Sequence, residues 1–202
     1  MWGVIGGAAV GYALGTVPSA DLVAWVVTRG RVDLRAAGSG NPGGFNAMRV
    51  IGRRSGLVVI VLDIAKGVAA GFVGMAVGGD GGAYAAGTAA VAGHIWPVWF
   101  RFRGGKGVAT SGGALIAVFP AVFPAVVAVT LATSLATHRS ELAMWVACTA
   151  WVAGSIVWWA AGVSNAWGPE PAAGLVVFSV LCSVFVLGKF RLAARRTVPA
   201  AG

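Results

Sequence analysis

The stretch LVVIVLDIAKGVAAGFVGMAVGGDGGAYAAGTAAVAGHIWPVWF, residues 57–100, runs directly into Arg101-Phe102-Arg103-Gly104-Gly105-Lys106 and decides the fold. It holds two apolar runs, Leu57 to Val77 and Ala83 to Phe100. Each is close to the ~20 residues that a helix needs to cross the hydrocarbon core of a bilayer. The turn between them, Gly78-Gly79-Asp80-Gly81-Gly82, has no Lys or Arg, whereas the loop after the second run is dense in both. Membrane proteins keep Lys and Arg in their short cytoplasmic loops. The stretch therefore reads as a transmembrane hairpin with its glycine turn outside and its basic loop inside.

The rest of the chain follows the same pattern. Basic residues gather at Arg29 to Arg35, Arg49 to Arg54, Arg139 and Lys189 to Arg196, and Lys66 alone falls inside an apolar run. Gly162 to Pro171 carries none. Trp2 to Val27 supplies a first span, read as retained rather than as a signal peptide because no basic segment precedes it. Val108 to Thr137 is interrupted by Pro120 and Pro124, which break helices. It reads as two short spans in a hairpin, or as a re-entrant hairpin. Leu142 to Ala161 and Ala172 to Leu187 complete the set. The expectation is an all-α integral membrane protein of about seven transmembrane helices. Its N-terminus lies outside, its C-terminus is cytoplasmic, and a single membrane domain covers 1–202.

Composition supports a membrane protein. Hydrophobic residues make up 58% and charged residues 10%, against about 25% charged in soluble domains. The net charge of +9 is spread over loops between spans rather than gathered on one module, which argues against nucleic acid. It suits anionic lipid headgroups or phosphorylated substrates. Cys148 and Cys182 fall in apolar runs and read as packing residues. Gly11 and Gly15 form a small-residue pair of the kind that lets membrane helices approach closely. Trp96, Trp99, Trp158, Trp159 and Trp167 lie near span ends and read as interfacial anchors.

Three polar clusters are candidates for chemistry. Gly38-Ser39-Gly40-Asn41-Pro42-Gly43-Gly44-Phe45-Asn46, followed by Arg49, offers converging backbone N–H groups and polar side chains, and is equally compatible with an ordinary tight loop. Arg101 to Ser111 embeds Lys106 among glycines just before a helix start, where free N–H groups and the helix dipole attract phosphate. Asp63 and Lys66, at i, i+3 inside a span, read as an ion pair, with Lys66 also able to lean toward the basic face. His94 reads first as a hydrogen-bonded structural residue. Neither a metal-ligand set, a cofactor motif nor a Ser-His-Asp arrangement can be assembled.

These clusters together resemble the bacterial acyl-phosphate-dependent glycerol-3-phosphate acyltransferases, the PlsY family. The similarity runs through Gly15-Thr16-Val17-Pro18-Ser19, the Gly38–Gly43 cluster with Asn46 and Arg49, and Asp63-x-x-Lys66-Gly67. It continues at Gly93-His94, Pro97-Val98 and Phe102 to Thr110. The resemblance implies transfer of a fatty acyl group from acyl phosphate to the 1-hydroxyl of glycerol 3-phosphate, giving lysophosphatidic acid. The setting would be the cytoplasmic face of the plasma membrane, among membrane lipids and without a cofactor. It implies catalytic roles for Ser39, Arg49 and Lys106. The expected substrate-binding set is Gly40, Asn41, Gly43, Asn46, Lys66, His94, Gly104, Gly105, Gly107 and Thr110. Three places depart from the family pattern: Phe45 stands where a Thr is usual, Thr137 to Met144 lacks a Ser-rich segment, and Leu187 to Ala193 lacks a His and an Asn. A divergent member without catalysis or with another substrate, or a small transporter or lipid-binding scaffold, are the alternatives. A transporter would place its broken helices and ionisable residues near the midplane, whereas here the unusual residues gather at one interface.

Overall fold

The computed structural model describes residues 1–197, with side chains as far as Ala193, so Arg195 and Arg196 of the basic tail lie outside the described side chains. The helices are α1 (Trp2–Gly15), α2 (Ser19–Thr28), α3 (Gly44–Ile51), α4 (Arg53–Ile95), α5 (Val108–Val118), α6 (Phe123–Thr137), α7 (Ser140–Ala161) and α8 (Ala173–Thr197), with a 3-10 turn at Val98–Phe100. Among the described residues the fold is all-helical. Four segments are long and apolar enough to cross a membrane: Trp2–Thr28, Arg53–Phe100, Ser140–Ala161 and Ala173–Ala193.

The second of these is a hairpin. Gly78 and Gly79 leave helical geometry, with Gly79 at φ 61, and the chain turns back at once. Residues 53–77 and 80–95 form two antiparallel limbs so close that Gly74 faces Gly82 and Ala86 directly. The expected turn is thus present but shorter than Gly78–Gly82, because helix resumes at Asp80. The second limb also ends earlier than Phe100, at Ile95, where Pro97 and the 3-10 turn take over.

α1 lies parallel to the second limb along a ladder of small residues. Gly3 meets Gly78, Gly7 meets Gly82, Gly11 meets Ala86 and Gly15 meets Ala90, and a Cβ on any of these glycines would run into the facing backbone. The buried residues of α1 are its glycines Gly7, Gly11 and Gly15. Lipid tails are as apolar as leucine, so burying large side chains gives membrane helices little drive to associate; close backbone packing supplies it instead. The Gly11–Gly15 pair is therefore the C-terminal half of a longer seam. A second small-residue seam joins the first limb to α5, with Gly67 against Thr110 and Gly113, and Gly71 against Ala117.

The first span is present as Trp2–Thr28, built from two helices rather than one. Pro18 interrupts it, and the freed Val17 carbonyl accepts a hydrogen bond from Lys66 Nζ at 2.9 Å. α5 and α6, in contrast, do not form a packed hairpin. At 11 and 15 residues they rise about 16 and 22 Å, short of the ~30 Å core. They diverge after Pro120, α6 packing along α7, and enclose an apolar cavity of about 170 Å3 between α5, α6, α7 and α8. Carbonyls left free where α5 stops would be costly inside a membrane. The 162–172 loop satisfies them: Trp167 Nε1 donates to Ile116 O at 2.8 Å and Asn165 Nδ2 to Val118 O at 3.5 Å.

The larger core lies around the second limb, with Val91, Ile95, Leu115, Phe119, Trp151, Phe178 and Val186 closely packed. Trp158 belongs to this packing through Phe119, their ring centroids 5.7 Å apart, and Trp96 stacks edge-on against Phe185 at 5.2 Å. Both are partly buried against the core. Trp99, Trp159 and Trp167 remain exposed. Cys148 and Cys182 are buried free thiols. The long-range contacts bring three of the basic segments together at one end of the bundle. Arg35 reaches Arg103, Lys106 lies over Phe190, Lys189 reaches Ile95, and Arg191 lies over Trp145. Tyr84 and Glu170 meet at the opposite end.

Candidate active site

Two glycine loops sit side by side at the basic end, each feeding a helix. The first leads from Leu34 into α3, whose N-cap is Gly43 without a side-chain cap. Asn46 organises this loop from within. Its Oδ1 accepts from Ser39 N at 2.8 Å, and its Nδ2 donates to Leu34 O and Ala37 O, both at 3.0 Å. Asn46 is buried, and all of these bonds stay inside the protein. Ser39, Gly40 and Arg49 are exposed around it, with Asn41 and Gly43 half-buried. Phe45 is 76% exposed at the start of α3.

The second loop closes onto the end of α4. Gly104 N donates to Ile95 O and Gly105 N to His94 O, both at 3.1 Å. The Gly105 Cα rests on the His94 ring so tightly that no side chain fits there. Gly107 adopts φ 84 and starts α5, again without a side-chain cap, so the first N–H groups of that helix are left for an anion. Thr110 is fully buried, its Oγ1 without a hydrogen-bond partner.

Lys106 is half-buried and turns away from His94, toward α7 and α8. Its ammonium lies 4.2 Å from the Phe190 ring centroid, an attractive arrangement for a cation over an aromatic face. Burial pushes its pKa below the ordinary lysine value, and the Glu141 carboxylate opposes that shift.

Beneath the loops lies a buried ionic cluster. Lys66 Nζ is 2.9 Å from Asp63 Oδ1, and His94 Nδ1 is 3.5 Å from the same oxygen. The expected Asp63–Lys66 pair is thus formed and His94 joins it. Together with Arg35, Asp21, Pro42, Gly104 and Gly105 these residues line a polar cavity of about 20 Å3, room for about one water.

The structure therefore gathers the expected residues at one end but on different levels. Ser39, Gly40 and Arg49 are at the surface, Lys106 is at the mouth of the second loop, and Asn46, Lys66, His94 and Thr110 are in the layer below. Arg35, Asp21, Glu141 and Phe190 were not expected from the sequence. Arg35 looks like any topogenic arginine, and only its place just before a glycine loop hints at more.

The description "Glycerol-3-phosphate acyltransferase" belongs to the family model that matches residues 5–199. A curated glycerol-3-phosphate acyltransferase from Symbiobacterium thermophilum is 44% identical over 113 residues, covering 56% of this chain and 55% of that one. The chain spans about half the length of the curated relatives it matches. Among solved structures it resembles PlsY (YgiH), described as an integral membrane glycerol 3-phosphate acyltransferase. Against the glycerol 3-phosphate form the TM-score is 0.76 with 29% identity, and against the lysophosphatidic acid form 0.77 with 28%. Both comparisons cover 96% of this chain and 90% of that one. Matched in sequence over 5–199 and in fold over nearly its whole length, the chain belongs to the glycerol-3-phosphate acyltransferase family and shares its all-helical integral membrane architecture.

Proposed function

We propose that the chain transfers a fatty acyl group from acyl phosphate to the 1-hydroxyl of glycerol 3-phosphate, releasing inorganic phosphate and lysophosphatidic acid. The observation that carries this reading is the placement of two glycine loops on one basic face, each leading into an uncapped helix, with an apolar cavity directly behind the second. That cavity begins at Val108 and Ser111, immediately after Lys106, and is lined almost wholly by apolar side chains. A phosphate held at the α5 N-terminus leaves its acyl chain pointing into this space. The new ester forms as the hydroxyl oxygen attacks the acyl carbon, the bond from that carbon to the phosphate oxygen breaks, and the departing phosphate takes the hydroxyl proton. Acyl phosphate carries its own good leaving group, so the protein's contribution is positioning and charge neutralisation. Lys106, Arg49 and the free N–H groups fit that task. Ser39 supplies a hydroxyl at the exposed rim. Purified protein given palmitoyl phosphate and glycerol 3-phosphate should release lysophosphatidic acid and phosphate in equal amounts. Neither product appearing would overturn the reading.

The orientation belongs to the same proposal. One membrane domain over 1–202 crosses the plasma membrane seven times, counting α1 with α2 as one crossing, the two limbs of α4 as two, and α5 and α6 as short crossings. The N-terminus is outside, and the basic end with its site and C-terminus is cytoplasmic. Support comes from the segregation of Arg35, Arg103, Lys106 and Lys189 at one end. Single cysteines at Asp80 and Ser164 should react with an impermeant maleimide on intact cells, and cysteines at Ala36 and Arg101 only after permeabilisation. Labelling of Ala36 or Arg101 from outside would reverse the assignment.

A further inference from the structure

Arg35 precedes the first glycine loop and touches three elements at once. Its Nη1 pairs with Asp21 on α2. Its Nε donates to the Arg103 carbonyl of the second loop at 3.0 Å. Its guanidinium carbon lies 4.1 Å from the Phe100 ring centroid. The side chain is only 15% exposed. The segment it grips is under backbone tension, since Arg101 and Phe102 hold consecutive left-handed conformations at φ 50 and φ 61. Non-glycine residues keep such geometry only when their surroundings hold them in it. A planar guanidinium suits this double duty, because it can pair, donate and stack in fixed directions where an ammonium cannot.

We propose that Arg35 is a positioning residue that sets the separation of the two anion-binding loops, and with it the approach of one substrate to the other. The inference rests on the acyltransferase reading above. Each loop keeps its own internal bonds, Asn46 in the first and the His94 and Ile95 carbonyls in the second. Loss of Arg35 therefore leaves each phosphate its binding site but blurs the distance between them. A misplacement of about 1 Å costs up to about a hundred-fold in rate.

The decisive variant is Arg35→Lys, which keeps the charge facing Asp21 but loses the directed donor to Arg103 and the stack on Phe100. With palmitoyl phosphate and glycerol 3-phosphate, kcat should fall about ten- to a hundred-fold while both KM values stay within about threefold. Asp21→Asn, which leaves the Arg103 bond in place, should lower kcat far less. Spin labels at Ala36 and Phe102 should show a broadened inter-loop distance in Arg35→Lys and an unchanged one in Asp21→Asn. Unchanged kcat with an unchanged distance distribution overturns the proposal, and so does a rise in KM alone, which would make Arg35 a substrate ligand. If Arg35→Lys does not fold, Phe100→Leu decides: an intermediate loss of kcat supports the latch and none refutes it. If the unaltered protein shows no turnover, the acyltransferase reading fails, and the distance measurement alone judges Arg35.

Discussion

Lys106→Ala should cut kcat about a hundred- to a thousand-fold while the protein still inserts and folds. The size is that of removing one preorganised donor to developing charge, the role proposed for Lys106. Folding should survive because the ammonium is half-buried at a loop mouth, with an aromatic face and a carboxylate as its neighbours rather than a sealed ion pair. The charged form is the useful one. Since burial lowers the Lys106 pKa from 10.5, the alkaline limb of kcat/KM should fall at a lower pH than an exposed lysine would give. Lys106→Arg should push that limb upward, whatever it does to the rate. A pH–rate profile on the two variants and the unaltered protein checks both points. Unaltered kinetics in the alanine variant would remove Lys106 from the site.

Asp63→Ala carries the largest expected cost in stability, about 3–5 kcal/mol, because it strands a buried cation. Lys66 and Asp63 are 7% and 4% exposed at their side chains, and after the change the ammonium would keep the Val17 carbonyl but lose its partnered carboxylate, with the Asp21 carboxylate left to act on it. Replacing both, as Asp63→Ala with Lys66→Met, should recover much of the loss, since an apolar pair of similar volume is often neutral in such a place. Unfolding in mixed micelles gives the three values. A double variant no more stable than Asp63→Ala alone would show that Lys66 matters mainly for closing the break at Pro18.

Much of this architecture is legible in the sequence because membrane proteins write their topology in simple terms. The hairpin of α4 is visible in the glycine turn between apolar runs, and the basic end in the one-sided loops. The Asp63–Lys66 pair is visible because charge inside a span must find a partner. What stays hidden depends on distant contacts. Pro18 marks a break locally, as prolines do, but nothing nearby shows that Lys66 will reach the Val17 carbonyl beside it. The divergence of α5 and α6 depends on Trp167 and Asn165, which arrive some fifty positions later in the chain. Asn46 reads as a ligand because asparagines beside glycines offer hydrogen bonds; that its bonds to Ser39, Leu34 and Ala37 turn inward is a matter of loop closure. Arg35 is masked by its resemblance to arginines whose only task is to stay on one side.

The glycine ladder of α1 also fixes an order of events. Its partner is the second limb of α4, joined in parallel, so the helix made immediately before that limb cannot substitute for it. While the ribosome adds residues at about 5–20 per second, α1 waits in the bilayer for several seconds with an open seam from Gly3 to Gly15. Only when residues 80–95 turn back does the seam close. The first helix to be synthesised is therefore seated late, and a chain arrested within the first limb would present that seam to whatever insertion machinery lies beside it.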